Sequence, residues 1–427
     1  MLPPGILKKC HAVGIINLIS LWEIRKCSIF GGGSKLPPYT ICVCKGVSVL
    51  QKPLRTKDDP VDGIFLLLVL LLLAIGLVML WSASFAQSQY DTGYTSSVKY
   101  LKKQAACAVL GLVAMYFLSR VPVSLWEWAA WPLYGVSILL LLSVLVAGQS
   151  VNGAKRWISI GGLQFQPSEI AKFTLILLFS KLTRAFGPDA RRFRYGVLGF
   201  GCALLGILVP LALEKHLSAI MLMGLVAVVM MFVAGTHPKW LLAGAAAALI
   251  FVAVYVTCMG YAGDRITAWL HPEADPGDTG YQILQSLYAI GSGGLFGLGF
   301  GKSKQKYLYL PFQYNDYIFA VVCEELGFAG ALVIMALFAA LILRGYRIAL
   351  QASSRFATVL AAGITTLMAV QTLLNLCVVT NMLPSTGIAL PFFSYGGTAL
   401  AVNLGEMGIL LAISRTRKFP KQQEETP

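Results

Sequence analysis

Charge is what this sequence has least of. Only 12% of its 427 residues are Asp, Glu, Lys or Arg, where a soluble domain carries about 25%. That shortage excludes an ordinary water-soluble fold of this length. Paired cysteines are missing too. Of nine cysteines, Cys107, Cys202, Cys258, Cys323 and Cys377 lie in or beside apolar stretches, and Cys10, Cys27, Cys42 and Cys44 lie near the N-terminus. The outer loops hold no clear pair, which argues against a disulfide framework, and no metal-ligand spacing is present.

Apolar residues make up 57% of the chain. They gather into ten stretches of membrane-spanning character: 63–84, 103–119, 125–147, 167–182, 196–213, 217–235, 239–260, 318–343, 356–379 and 393–413. A run of about 20 apolar residues spans a bilayer as a helix. The chain therefore reads as an all-α polytopic membrane protein of about ten transmembrane helices, with one large extracytoplasmic loop at 261–317.

Short-loop Lys and Arg set the orientation. The loop 181–194 carries Lys181, Arg184, Arg191, Arg192 and Arg194 against Asp189, the loop 344–355 carries Arg344, Arg347 and Arg355, and the tail carries Arg415, Arg417, Lys418 and Lys421. With ten spans these fall on one side, the cytoplasmic one, so both termini are inside the cytoplasmic membrane. The net charge of +15 is then an orientation signal with some attraction to anionic lipid, and needs no nucleic-acid partner. Residues 1–58 lack periodicity and read as a disordered cytoplasmic extension. The alternative is a translation start placed too early, with the true start between Val47 and Leu54. Residues 59–415 form the membrane domain and 416–427 a cytoplasmic tail.

Three polar clusters interrupt the apolar pattern. The first runs from Asn152 through Lys155, Arg156 and Trp157 to Pro167, Ser168, Glu169 and Lys172. Glu169 and Lys172 stand three apart on one helix face. Ionisable groups within a span are costly and are paired or functional, so this pair either locks two helices or lines a polar cavity. The second cluster spans 264–325. It carries Arg265, a glycine run at 291–301, Lys302, Lys304 and Lys306, then Asn315 and Asp316 where the chain re-enters an apolar helix, with Glu324 and Glu325 beyond. The glycines lack a nucleotide-loop context and read as a hinge or a close helix contact. Adjacent glutamates cannot share one helix face, and Glu325 either pairs with Lys172 or neighbours Asp316. The third cluster, 381–397, holds two prolines and several glycines before the last span. Such irregular backbone is tolerated at membrane depth only against protein or a wet cavity, which Ser394, Thr386 and Tyr395 would face. A structural turn is the other reading.

These clusters, in this order, resemble the SEDS family (shape, elongation, division and sporulation), which contains FtsW, RodA and a sporulation member. The matching segments are NGAKRWISIGGLQFQPSEIAK (152–172), GYQILQSLYAIGSGGLFGLGFGKSKQKYLYLP (280–311), NDYIFAVVCEELG (315–327) and LPSTGIALPFFSYGG (383–397). The likeness leans toward the FtsW and sporulation branches. It implies a peptidoglycan glycosyltransferase that polymerises lipid II at the outer membrane face and releases undecaprenyl pyrophosphate. A class B penicillin-binding protein transpeptidase and other divisome or elongasome membrane proteins are the implied partners. The family's catalytic Asp falls on Asp316, and its fourth-span Glu and Lys on Glu169 and Lys172. The chain departs from the family twice. Phe312 follows Pro311 where an acid is usual, and Glu214-Lys215-His216-Leu217-Ser218 replaces a Pro-Asp-Leu-Gly-Thr type segment.

Such a reaction needs a base for the attacking hydroxyl and cations for the leaving pyrophosphate. Asp316 suits the first role, although an Asp before an apolar helix is also a good N-cap. Lys155, Arg156, Arg265, Lys302, Lys304 and Lys306 are the outer-face cations for the second. A divalent cation, Mg or Mn, can share that role, with ligands the sequence does not name. A lipid II transporter and a non-catalytic transpeptidase scaffold are the rival classes.

Overall fold

A computed structural model of the chain describes residues 43–44, 47–48, 61–151, 154–160, 163–244, 246, 269–273 and 280–416. Two compact units divide it, Met1–Asp58 and Asp59–Pro427. In the first, β1 (Val43–Cys44) pairs antiparallel with β2 (Val47–Ser48). The rest of the expected extension, and the tail beyond 416, lie outside the described residues.

The second unit is helical. Its helices are α1 (Gly63–Asp91), α2 (Lys99–Leu118), α3 (Val123–Ala147), α4 (Pro167–Phe186), α5 (Phe200–Leu213), α6 (Leu217–Ala234), α7 (Tyr281–Gly293), α8 (Ile318–Gln351), α9 (Arg355–Val379) and α10 (Gly397–Ser414). Local chemistry sets several ends. The Asp62 carboxylate accepts from the Phe65 amide at 3.0 Å and the Ser354 hydroxyl from Ala357 at 3.2 Å, both as N-caps. Pro167 opens α4, where its missing N–H costs nothing. Gly235, at φ 91°, closes α6 in the left-handed conformation.

Eight helices among the described residues are long and apolar enough to cross a membrane, and the protein is multi-pass. They match eight of the ten expected spans, with α5 extended back to Arg194 through a π-helical turn. The stretch 167–182 is α4. Glu169, Lys172, Lys181 and Arg184 lower its hydropathy, yet most of its side chains are buried among its neighbours. The span 239–260 lies almost wholly outside the described residues, with 238–244 helical.

Buried shares locate the centre. Within their apolar windows 72% of α10 and 67% of α9 is buried, against 22% of α2. α9 packs on α8, α4 and α6, and α10 packs most extensively on α2. The last contact is close because Gly408 has no side chain. A Cβ there would stand 2.5 Å from the Met115 carbonyl oxygen, and small residues are what let membrane helices approach. At one end, Arg344 Nε donates to both Asp62 oxygens at 3.1 and 2.9 Å, and the Asp62 amide donates to Ser414 Oγ at 3.3 Å. The start of α1 is thereby tied to α8 and α10.

Two features differ from the sequence reading. The segment around Lys155 forms a three-stranded antiparallel ribbon, β3 (Gln149–Val151), β4 (Ala154–Ile160) and β5 (Leu163–Phe165). The outer loop contains α7, which at 13 residues is too short to span. It buries Ile283, Leu284 and Ala289 against the bundle.

α8 breaks at Gly327 (φ 68°, ψ −170°), a region open to glycine alone. Residues 294–299 lie along the break. The Leu298 and Gly299 amides donate to the Glu324 and Glu325 carbonyls at 2.9 and 3.0 Å, and Phe328 and Ala329 donate to Gly294 and Leu295 at 2.9 and 3.0 Å. The glycine run is therefore a close backbone contact. A Cβ on Gly327 would come within 2.3 Å of the Gly297 nitrogen. Gly327→Ala should cost about 3 kcal/mol or more, read as a large fall in thermal unfolding midpoint in detergent.

Candidate active site

Asp316 lies half-buried at the turn leading into α8. The N-cap of that helix is Tyr317, without a side-chain capping bond, so Asp316 stands one residue outside the capping position. Asn375 near the end of α9 fixes its backbone, because Asn375 Nδ2 donates to the Asp316 carbonyl at 2.7 Å and to Ile388 O at 2.8 Å. The side chain faces the 381–396 segment, and a Cβ built on Gly387 would meet Asp316 Oδ2 at 3.4 Å.

That segment is clamped to the turn. Ser394 Oγ donates to Asn315 O at 2.7 Å and accepts from the Leu390 amide at 2.8 Å. The Tyr395 amide donates to Tyr314 O at 2.9 Å. Gln104 on α2 donates to Ser394 O and accepts from Gly396 N, both at 3.1 Å. Tyr100, Tyr314 and Tyr395 stack within 4.6 to 5.9 Å beside it. The sequence reading turns Ser394 toward a cavity. Here both hydrogen-bonding directions of its hydroxyl go to backbone.

On the other side, Ser218 in the first turn of α6 donates to Thr386 O. His216, the N-cap residue of α6, is buried. It lies within electrostatic reach of Arg156 and Lys172. Arg156 Nη2 donates to Lys215 O at 2.6 Å. Lys172 and Glu169 form a buried pair at 2.7 Å, and Glu406 on α10 feels both. The expected residues Asp316, Glu169, Lys172 and Arg156 thus gather around the N-terminal ends of α4 and α6, the C-terminal end of α9 and the 381–396 segment. Buried atoms Glu214 Oε1, His216 Nδ1, Thr386 Oγ1 and Glu406 Oε1 have no hydrogen-bond partner among the described residues, which is unusual for buried polar groups.

Glu214, His216, Ser218 and Asn375 were not among the residues the sequence singled out for this site. Their signal was a polar run, Glu214 to Ser218, set between two apolar helices. Burial pushes the Glu214 carboxyl up to about 8 against the pull of Arg156. Burial, helped by Arg156 and Lys172, pushes His216 down to about 3.

The remaining cations form a second cluster. Lys306, read from sequence as an outer-face cation, is 2% exposed. Its Nζ donates to Glu325 Oε1 at 3.0 Å, to Ser82 Oγ at 3.1 Å and to Gly301 O at 2.6 Å. Glu325, fully buried, therefore pairs with Lys306 and not with Lys172. The loop docked on the α8 break brings that lysine to it. Ser82 Oγ also donates to both Glu325 oxygens, at 2.6 and 2.8 Å. Glu324 accepts from Ser303 Oγ and from the Lys304 amide at 2.8 Å. Lys302 and Lys304 are exposed. Lys155 is placed on β4 by its backbone alone, and Arg265 lies outside the described residues.

Among the described residues no three His, Cys, Asp or Glu side chains converge. The described residues do not make a protein cage for a divalent cation.

A bundle of apolar helices enclosing paired charges and irregular backbone at one end defines a multi-pass membrane protein with a polar site at that end. The chain belongs to the FtsW/RodA/SpoVE cell cycle protein family, which it matches over residues 63–419. It is 39% identical over 383 residues to the probable peptidoglycan glycosyltransferase FtsW of Trichlorobacter lovleyi, covering 87% of this chain and 97% of that one. It is 37% identical over 372 residues to stage V sporulation protein E of Bacillus subtilis, covering 86% and 100%. Its fold is similar to a chain from a structure described as a peptidoglycan synthase complex coordinating polymerization and crosslinking (TM-score 0.71, 30% identity, 83% of this chain and 98% of that one). It is also similar to the rod shape determining protein RodA of Thermus thermophilus (TM-score 0.63, 29% identity, 84% and 98%).

Two predictions follow from the charges. Lys306→Met leaves Glu325 buried and unpaired and should cost about 3–5 kcal/mol, while adding Glu325→Leu recovers most of it; thermal unfolding in detergent reads both. Glu214, raised from 4.5 to about 8, holds a proton that the unfolded chain loses. Its stabilising contribution is complete below pH 4.5 and is lost as pH rises through about 8. Glu214→Gln should flatten that decline in the unfolding midpoint between pH 5 and 9.

Proposed function

We propose that this chain is a peptidoglycan glycosyltransferase that polymerises lipid II at the outer face of the cytoplasmic membrane. The observation that carries the reading is the placement of Asp316. It lies half-buried, its backbone held by Asn375 and its carboxylate beside Gly387, at the same end as the Glu169–Lys172 pair and Arg156. Family membership over most of the chain supports it.

In this reaction an acceptor-sugar hydroxyl attacks the anomeric carbon of a donor sugar. The new C–O bond forms as the bond to pyrophosphate breaks. Undecaprenyl pyrophosphate leaves with the electron pair, and the hydroxyl proton passes to the Asp316 carboxylate. Arg156 offers a guanidinium to phosphate oxygens. Lys172, already neutralised by Glu169, orients polar groups around it. A divalent cation, Mg or Mn, would supply further charge neutralisation for the leaving pyrophosphate.

Both termini lie in the cytoplasm, as the basic loops require. A class B penicillin-binding protein transpeptidase cross-links the strands beside it, within a divisome or elongasome assembly. The setting is division, sporulation or elongation.

Purified protein with its transpeptidase partner and labelled lipid II in detergent tests the reading. Wild type should form glycan strands. Asp316→Asn should lower the rate by about 10²–10⁴-fold while keeping the wild-type unfolding midpoint. Detergent has no second side, so strand formation there separates a polymerase from a transporter. Unchanged strand formation by Asp316→Asn would sink the assignment of the base.

A further inference from the structure

The end of the bundle away from Asp316 holds a cavity that the reaction does not use. It has a volume of about 380 Å³ and is lined by Gly187, Pro188, Arg191, Ala234, Gly235 and Arg355. Three helix ends meet there: the C-termini of α4 and α6 and the N-terminus of α9. α4 starts beside Glu169 at the candidate site and runs 20 residues to Gly187, so the cavity lies about 30 Å from it.

Its charge is one-sided. Arg191 and Arg355 both line it and both are exposed. The acids at this end are matched elsewhere, Asp189 to Arg192 at 3.3 Å and Glu127 to Arg184. Neither Arg191 nor Arg355 reaches a carboxylate within ion-pair distance among the described residues. Arg355 is held in place by one bond, Nη2 to Ala234 O at 3.0 Å, which leaves the rest of its fork for another acceptor. The wall is open at its glycines, since a Cβ on Gly187 or Gly235 would meet no atom within 4 Å. Two guanidiniums at a concave, acid-free wall suit a tetrahedral oxyanion, because the planar fork pairs two N–H groups with two phosphate oxygens.

We propose that this cavity binds a phosphate group, presented either by an anionic phospholipid headgroup or as a free phosphate anion. The location at the end of three membrane helices allows both sources. Full-length protein in a non-ionic detergent, titrated separately with phosphatidylglycerol, phosphatidylcholine and inorganic phosphate, tests this, with bound species read by native mass spectrometry. Wild type should retain phosphatidylglycerol in preference to phosphatidylcholine, and Arg191→Gln with Arg355→Gln should lower that occupancy about tenfold. Arg191→Gln alone keeps the Ala234 contact, and should lower occupancy with an unchanged unfolding midpoint. Inorganic phosphate binding that the same variants abolish, without a lipid preference, supports the site and makes free phosphate its source. Arg192→Gln with Arg194→Gln removes equal charge nearby and should leave binding intact. An equal loss in that control, wild-type binding in the Arg191 and Arg355 variants, or no binding of any probe by wild type overturns the proposal.

Discussion

Gly327 breaks α8 inside the bundle, and the backbone polar groups the break releases must be paired where water is scarce. Residues 294–299 pair them by running alongside, with four backbone hydrogen bonds of 2.9 to 3.0 Å. The approach is possible because glycine stands on both sides, at 297 and 327. Once that segment is docked, the following turn delivers Ser303 and Lys306 onto Glu324 and Glu325, and Ser82 brings α1 to the same carboxylate. The outer segment between α7 and α8 is thus a folded part of the bundle, anchored before it reaches Asp316.

The candidate site is built on irregular backbone held by polar side chains from regular helices. Asn375 from α9 joins the Asp316 and Ile388 carbonyls, Gln104 from α2 joins Ser394 and Gly396, and Ser218 from α6 reaches Thr386. Each is a side chain replacing a missing backbone partner. Moving any one of the three helices would move the segment facing Asp316. That arrangement links the packing of α2, α6 and α9 to the geometry around one carboxylate.

Much of this was legible in the sequence, and the illegible part has a physical cause. Spans such as α1 and α6 were readable because apolar runs of that length have few other fates. The Glu169–Lys172 pair was readable because i,i+3 neighbours on a helix meet whatever the tertiary fold. Glu325 was not, because its partner comes from a loop 19 residues away that reaches it only through the break at Gly327. Lys306 looked like a surface cation for the same reason. For Ser394, sequence shows that a hydroxyl is present and not that it bonds the Asn315 carbonyl and the Leu390 amide. The β-ribbon was hidden by glycines that read equally well as a plain turn, and only Ile158, Ser159 and Ile160 alternate as strand residues do.

The two ends of the molecule are built differently, and this bears on what the polar site can do. At the Asp316 end the backbone is irregular and is held by side chains from α2, α6 and α9. At the other end, Asp62 ties α1 to Arg344 on α8 and to Ser414 on α10 through bonds of 2.9 to 3.3 Å. An alternating-access transporter has to open at both ends around a midplane site, with helices that rock apart. Here three helices are fastened together at the end that would have to open. Each opening there would separate a buried carboxylate from its guanidinium, which is strongly unfavourable. A site that works from one face, with its substrate arriving and its product leaving through the membrane plane or the outer surface, needs no such motion. Polymerisation of a lipid-linked sugar at a single face fits that asymmetry better than transport does.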